Sequence, residues 1–337
     1  MTIEMQEDFF RAPLGRAPVL AAYGGGVDST AMLIEMIARG DPLDQVLMAR
    51  TNSEKPETDE YAEMFGQWLI DHGVPFEFVA NKVSNYKHWP PYEGLYENCL
   101  VNGTLPSISF GFSACSAKAK IAPQDKWTNT WELANTAWSQ GLKVVKVIGY
   151  DCSPADVKRY AEREGHVNGK YDFRYPLREW GWTRDDCIRR IQAEGLPVPM
   201  KSACVMCLAT KPAEVDEFSP TILRRIVLLE ARAHPRLKKV EGLWRKEVKG
   251  FRGAEKKPGS MTQYIRERGL LPEAEIDLIW NEAPRALVAW QESVADTPIE
   301  SRPAIREWLA FFDKHQLLFE GDGLPRLFAD SMPDKAA

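Results

Sequence analysis

Charge of one sign is not in excess: 43 lysines and arginines face 48 aspartates and glutamates, a formal net charge of −5. No global positive field therefore draws the chain to nucleic acid. No apolar run approaches membrane-spanning length. Residues 1–13 carry acids where a secretion signal needs a basic start and an apolar core. These absences predict a cytoplasmic protein with no membrane contact. The five histidines (His72, His88, His166, His234, His315) show no paired metal spacing. The six cysteines are too few, in 337 residues, for a disulfide framework, and none follows Cys207.

What is present is concentrated near the start. Val19 to Ala22 read as a buried parallel strand, Gly24-Gly25-Gly26 as a tight bend, and Ala31, Met32, Leu33, Ile34 and Ile37 as the apolar face of a helix. Asp28 or Ser29 is placed to cap that helix. Glycines turn at positive φ and let a ligand approach the backbone, and a helix start offers free amides to an anion. The order strand, glycine bend, helix start predicts a phosphate cradle over Tyr23, Gly24, Gly25, Gly26, Asp28, Ser29 and Thr30. It is neither the Walker loop, which needs Gly-Lys-Ser/Thr, nor the spaced dinucleotide fingerprint.

Further strands are expected over 45–50, 74–80 and 143–150. A helix is expected after a cap at Thr58 or Asp59, with Tyr61, Met64, Phe65, Trp68 and Leu69 on one face. Strands alternating with helices predict an α/β fold: an open, mostly parallel, doubly wound sheet, Rossmann-like, followed by a C-terminal helical extension. Ligands of such sheets lie beyond the carboxyl ends of the strands. The glycine bend and the polar loop Thr51–Thr58 both fall there. The expected division is an N-terminal arm over 1–15, a nucleotide-binding domain over 16–211, the extension over 212–331 and a frayed tail over 332–337.

Gly24-Gly25-Gly26-Val27-Asp28-Ser29 resembles the Ser-Gly-Gly-x-Asp-Ser loop of the ATP-pyrophosphatase (PP-loop, adenine nucleotide alpha hydrolase-like) superfamily, with glycine for the first serine. Thr51, with Pro56-Glu57-Thr58, resembles the Asp-Thr-Gly-x-x-x-Pro-Glu-Thr segment of the phosphoadenosine phosphosulfate reductase family; Arg50 and Asn52 depart from it. Ala114-Cys115, Lys118, Lys120 and Pro123 resemble that family's Cys-Cys-x-x-x-Lys-x-x-Pro segment. Gly149–Arg159, Tyr175–Asp186, Gly195-Leu196-Pro197 and Cys204-x-x-Cys207 follow in the family's order, so the resemblance covers about residues 19–210.

The resemblance implies nucleotidyl activation. An acceptor oxygen attacks the α-phosphate of ATP and pyrophosphate leaves, with Mg2+ and the bend's amides neutralising the leaving group. It implies catalytic or phosphate-contacting roles for Asp28, Ser29, Lys118, Lys120 and Arg159, and nucleotide contacts from Thr51, Glu57 and Thr58. It also implies Cys115, Cys204 and Cys207 as ligands of a [4Fe-4S] cluster. Ala114 cannot supply the fourth, for which Cys99 is a candidate. Zinc, or no metal, explains the same thiols. Cys187 reads as core and Cys152 as structural.

The resemblance stops near Pro212. Helices are expected over 220–233, 260–269, 272–281 and 302–315, the first with Leu223, Ile226, Val227 and Glu230 marking its two faces. Arg236–Lys257 carries nine lysines and arginines with Trp244 and Phe251 among them. That stretch suits a nucleic-acid backbone with stacked bases, or equally a solvated face with core aromatics. The reading is thus an ATP-using, adenylylating enzyme serving sulfur transfer to a nucleic acid, with a sulfur-donor protein as a further partner. Two alternatives stay open: sulfonucleotide reduction, which lacks its usual C-terminal cysteine here, and a regulatory module that binds nucleotide without turnover.

Overall fold

The computed structural model describes residues 14–82, 90–106, 108–109, 112–161, 165, 167–249 and 256–315. The expected arm (save residues 14 and 15), the tail, His88, His166 and Phe251 lie outside them. The described residues fall into two compact units. The first joins residues up to Asn81 with Ser116–Ala203, and the second joins Lys82–Cys115 with the residues from Cys204 onward.

The first unit is α/β. Its strands β1 (Val19–Tyr23), β2 (Gln45–Arg50), β3 (Phe76–Ala80), β6 (Val144–Ile148) and β7 (Tyr171–Arg174) form one open sheet in the order β3-β2-β1-β6-β7. Every pairing in it is parallel. Four of the five strands match the expected segments to within a few residues; β7 was not anticipated. Side chains alternate across β1. Val19, Ala21 and Tyr23 join one buried cluster, whereas Leu20 joins another with Leu47, Val79 and Val144. The first cluster is closed by helices α1 (Val27–Ala38), α2 (Pro56–Asp71) and α8 (Arg184–Ala193), through Met32, Phe65 and Ile191. The second is covered by α4 (Ala122–Thr128) and α5 (Glu132–Ser139), through Trp127, Ala134 and Trp138. Apolar cover on both faces is what an all-parallel sheet requires.

Helix starts depart from the expected caps. Gly26, not Asp28 or Ser29, is the N-cap of α1, and no side chain caps it. Helix α2 begins at Pro56 with Lys55 as N-cap, so Thr58 lies inside its first turn. Proline favours the first helical turn because its missing N–H has no partner there anyway, which moves the start ahead of Thr58. In helix α8, Thr183 is the N-cap and the Asp186 carboxylate accepts from the Thr183 amide.

The second unit is mainly helical, with α3 (Leu95–Asn102), α9 (Pro212–Asp216), α10 (Pro220–Ala233), α11 (Met261–Glu267), α12 (Glu273–Ser293) and α13 (Ile305–His315). It also holds the two-residue pairings β4 (Ile108–Ser109) with β5 (Phe112–Ser113), and β8 (Val248–Lys249) with β9 (Lys256–Lys257). Ile276, Ile279, Ala283, Ala286, Leu287 and Trp290 recur on one face of α12 and pack with Ile226, Leu229 and Trp308 in a single core. Glu230, expected on the polar face of α10, is instead 1% exposed.

Candidate nucleotide site

Strand β1 has β2 on one side and β6 on the other, so chain order reverses beside it. The carboxyl ends there form the crevice in which open α/β sheets hold ligands. The glycine bend occupies that position. Gly25 has φ +68°, and a Cβ on it would stand 3.2 Å from Met48 Cε and 3.3 Å from Thr58 Cγ2. A side chain is thus opposed by both backbone and neighbours. Gly149, just beyond β6, is needed for a different reason: a Cβ there would approach Ser29 Cα to 2.9 Å.

The hydroxyls predicted to meet phosphate hold the bend itself. Ser29 Oγ donates to the Gly26 carbonyl (3.2 Å) and accepts from the Gly24 amide (3.3 Å). Thr30 Oγ1 donates to the same carbonyl at 2.9 Å and lies 3.3 Å from the buried Tyr23 hydroxyl. What remains for an anion is the start of α1, whose first amides have no intrahelical acceptor.

Beside the bend runs a narrow cleft of about 30 Å³, with Tyr23, Gly24, Met48, Ala49, Glu54, Thr58, Lys120, Gln124, Ser202 and Ala203 around it. Thr51 and Ser53 hold Glu54, which lines it. The Thr51 amide and hydroxyl donate to the Glu54 carboxylate (2.9 and 2.7 Å), as does the Ser53 amide (3.1 Å). Two polar atoms in this cleft are buried and make no hydrogen bond: Thr58 Oγ1 and Gln124 Oε1. Their residues are only 3% and 7% exposed.

On the other side of the bend is a carboxylate group. Asp28 pairs with Arg184 at 3.3 Å. Its carboxyl is nevertheless pushed up to about 6, chiefly by burial and also by the charges of Asp151 and Asp156. Asp156 is paired with Arg159 at 2.8 Å. Asp151 accepts from the Ser153 amide (2.9 Å) and hydroxyl (2.5 Å). Oxygen donors of this kind suit Mg2+, which is commonly held by one or two carboxylates plus substrate phosphates. Asp28 fits that role beside the bend.

The first unit therefore brings together Tyr23, Gly24–Gly26, Asp28, Ser29, Thr30, Thr51, Thr58, Lys120 and, through Asp156, Arg159. Lys118 and Glu57 are exposed, the one on the π-helical turn Ser116–Ile121 and the other in the first turn of α2. Glu54, Gln124, Asp151, Asp156, Arg184 and Ser202 escaped the sequence reading. Most lie between residues of the motifs already singled out, and proximity to a motif was the available signal.

Cys115, Cys204 and Cys207 belong to the second unit, and Cys99 joins them there. Cys204 and Cys207 close a turn, the Cys207 amide donating to the Cys204 carbonyl at 3.1 Å. Cys99 shares an apolar cluster with Val205 and Met206 of that turn. Burial pushes its thiol up to about 12, and the charges of Cys115 and Cys204 add to the effect. Among the described residues, however, no three Cys, His, Asp or Glu side chains are gathered to hold a metal ion. Cys187 is buried in the first unit, as expected of core.

In the basic stretch, Trp244 is 5% exposed and its Nε1 donates to the Thr210 carbonyl at 2.8 Å. It is a core side chain, not a stacking platform for bases. The same stretch borders a cleft of about 580 Å³ whose wall carries Asp216, Glu241, Glu247 and Glu267 against Lys256 and Arg268. Its field is not uniformly positive. Among the described residues no helix is long and apolar enough to cross a membrane. Compared with known proteins, the chain matches no family model and no curated sequence.

Proposed function

We propose that the first unit binds ATP and activates an acceptor by adenylylation, as the resemblance to the PP-loop pyrophosphatases and the phosphoadenosine phosphosulfate reductase family implies. The observation that carries this reading is the glycine bend at the reversal point of an all-parallel sheet, where bulk is excluded at Gly25 and Gly149. An acceptor oxygen attacks the α-phosphorus, the bond from that phosphorus to the bridging oxygen breaks, and pyrophosphate departs with the electron pair. The amides opening α1 and the Lys120 ammonium face the charge that builds on the leaving group. Mg2+, when bound, adds Lewis-acid neutralisation at the phosphates, and Asp28 is the residue that would hold it. Ser29 and Thr30 act indirectly, by fixing the bend through the Gly26 carbonyl.

The acceptor is proposed to be a nucleic acid only on the exposed Arg236, Lys238, Lys239 and Lys246. ATP–pyrophosphate exchange, run with and without bulk RNA and DNA, tests both parts. Exchange stimulated by one polymer supports the whole reading. Exchange indifferent to both removes the nucleic acid, and absence of ATP binding removes the reaction.

A further inference from the structure

A hydroxyl has one proton to give, and around the glycine bend most of those protons are committed. Ser29 and Thr30 both donate to the Gly26 carbonyl. Thr51 donates to Glu54, and Ser53 to the Thr51 carbonyl. Thr58 Oγ1 bonds nothing, but it is closed off from solvent. Ser202 differs from all of them. It lines the cleft beside the bend and is half-buried, and among the described residues its hydroxyl has no hydrogen-bond partner. The chain on its C-terminal side is anchored, the Ala203 carbonyl accepting from the Lys55 amide at 3.2 Å.

The same hydroxyl explains the third glycine. Gly26 has φ −111°, a conformation open to any residue, so its backbone does not require glycine. A Cβ there would stand 3.0 Å from Ser202 Oγ. The missing side chain thus leaves room for a hydroxyl brought from far along the chain. It also leaves α1 without a side-chain cap, so the opening amides stay free beside that hydroxyl. Free amides and an uncommitted O–H side by side are what a phosphate oxygen needs. We infer that Ser202 donates its proton to a phosphate oxygen of the anion seated on the opening amides of α1, which in the proposed reaction is the leaving pyrophosphate. The inference rests on that reading and adds a donor that neither the bend nor Lys120 supplies. Negative charge grows on those oxygens as the bond to the α-phosphorus breaks, so the contact strengthens along the reaction.

The experiment measures Kd for inorganic pyrophosphate and for ATP, each with Mg2+, by calorimetry on the full-length chain, alongside urea unfolding. Ser202→Ala is expected to weaken both ligands by the same factor, about 10- to 100-fold for a hydrogen bond to a charged group. Its unfolding midpoint should stay at the wild-type value, because the hydroxyl bonds nothing in the chain. Gly26→Ala, whose Cβ displaces the hydroxyl, should also weaken pyrophosphate, and adding Ser202→Ala to it should cost no further affinity. Where Gly26→Ala abolishes binding altogether, Ser202→Ala alone decides. Ser202→Ala with wild-type affinity overturns the inference. So does a loss confined to ATP, which puts the hydroxyl elsewhere on the nucleotide, or a loss with a lowered unfolding midpoint, which makes Ser202 structural. Equal costs of Ser202→Ala with and without Gly26→Ala separate the two residues and overturn it as well. A wild type that binds neither ATP nor pyrophosphate overturns instead the nucleotide site on which the inference stands.

Discussion

Glu230 and Asp28 are both carboxylates withdrawn from water, one in each unit, and the chain surrounds them in opposite ways. Glu230 receives the amides of Leu243 (2.6 Å), Met261 (3.0 Å) and Thr262 (2.8 Å) and the Ser260 hydroxyl (2.5 Å). Two of these amides open α11, so the carboxylate serves that helix as an anion would. Asp28 has Arg184 at 3.3 Å and otherwise meets the charges of Asp151 and Asp156. A charge whose oxygens are filled from within the chain holds structure together. One left short of partners beside a glycine bend is arranged for something that arrives. The contrast separates scaffold from site without appeal to any motif.

The largest expected effect tests the scaffold side. Glu230→Ala leaves two helix-opening amides, a loop amide and a hydroxyl buried and unpaired, and removes the charge they surround. Breaking a buried charged network in this way costs about 3–5 kcal/mol. Glu230→Gln keeps the shape but turns an amide N–H2 toward N–H donors, so it recovers only part of the loss. Urea unfolding followed by circular dichroism measures both. A Glu230→Ala variant as stable as wild type would dissolve the distinction, because the same burial would then carry no energetic weight.

The sequence made one side of this contrast legible and hid the other. Four strands of the sheet and the glycine bend could be read because period-2 and period-3.6 patterns are local and Gly24-Gly25-Gly26 has few uses. The strand β7 was missed because Tyr171-Asp172-Phe173-Arg174 alternates over only four residues. Glu230 was misplaced because a carboxylate in a helix normally marks the solvent face, and its donors come from residues 13, 30, 31 and 32 positions onward. Trp244 was open to two readings, base stacking or core, and the Thr210 carbonyl that holds its indole decides for the core. The grouping of Lys82–Cys115 with the residues after Cys204 has no local signature at all, since it depends on the chain leaving one core and returning to it. Within the site, Gln124 was invisible for the same reason. Its significance is a missing bond, and only coordinates show which bonds are missing.

The site side of the comparison is tested by pH. The Asp28 carboxyl lies at about 6 when folded and near 3.8 when unfolded. Between those values the folded chain binds more protons than the unfolded one, so stability falls as pH rises through the window. Above pH 6 the full cost of the buried charge is present. Asp28→Asn removes the ionisation and is expected to stabilise the protein by about 1–2 kcal/mol at pH 7 and by little at pH 4. The same substitution should weaken Mg2+-dependent ATP binding. A variant less stable than wild type at pH 7 would mean that the Arg184 pair outweighs burial, and Asp28 would then belong with Glu230.

The smallest effect carries the comparison to the thiols. Cys99 is 4% exposed, and burial with two neighbouring cysteines pushes it up to about 12, so at neutral pH it is a protonated core side chain. Cys207, at the end of the Cys204–Cys207 turn, is partly exposed. Alkylation by iodoacetamide at pH 7.5, mapped by mass spectrometry, is expected to mark Cys207 while leaving Cys99 unmodified until denaturant is added. The step requires the thiolate sulfur to displace iodide at the reagent's carbon, so both access and ionisation act against Cys99. Equal labelling of the two in the native chain would show that the Cys99 pocket opens readily. The cluster of Cys99, Val205 and Met206 would then be as loosely filled as the cleft beside Thr58, and packing would no longer distinguish the two units.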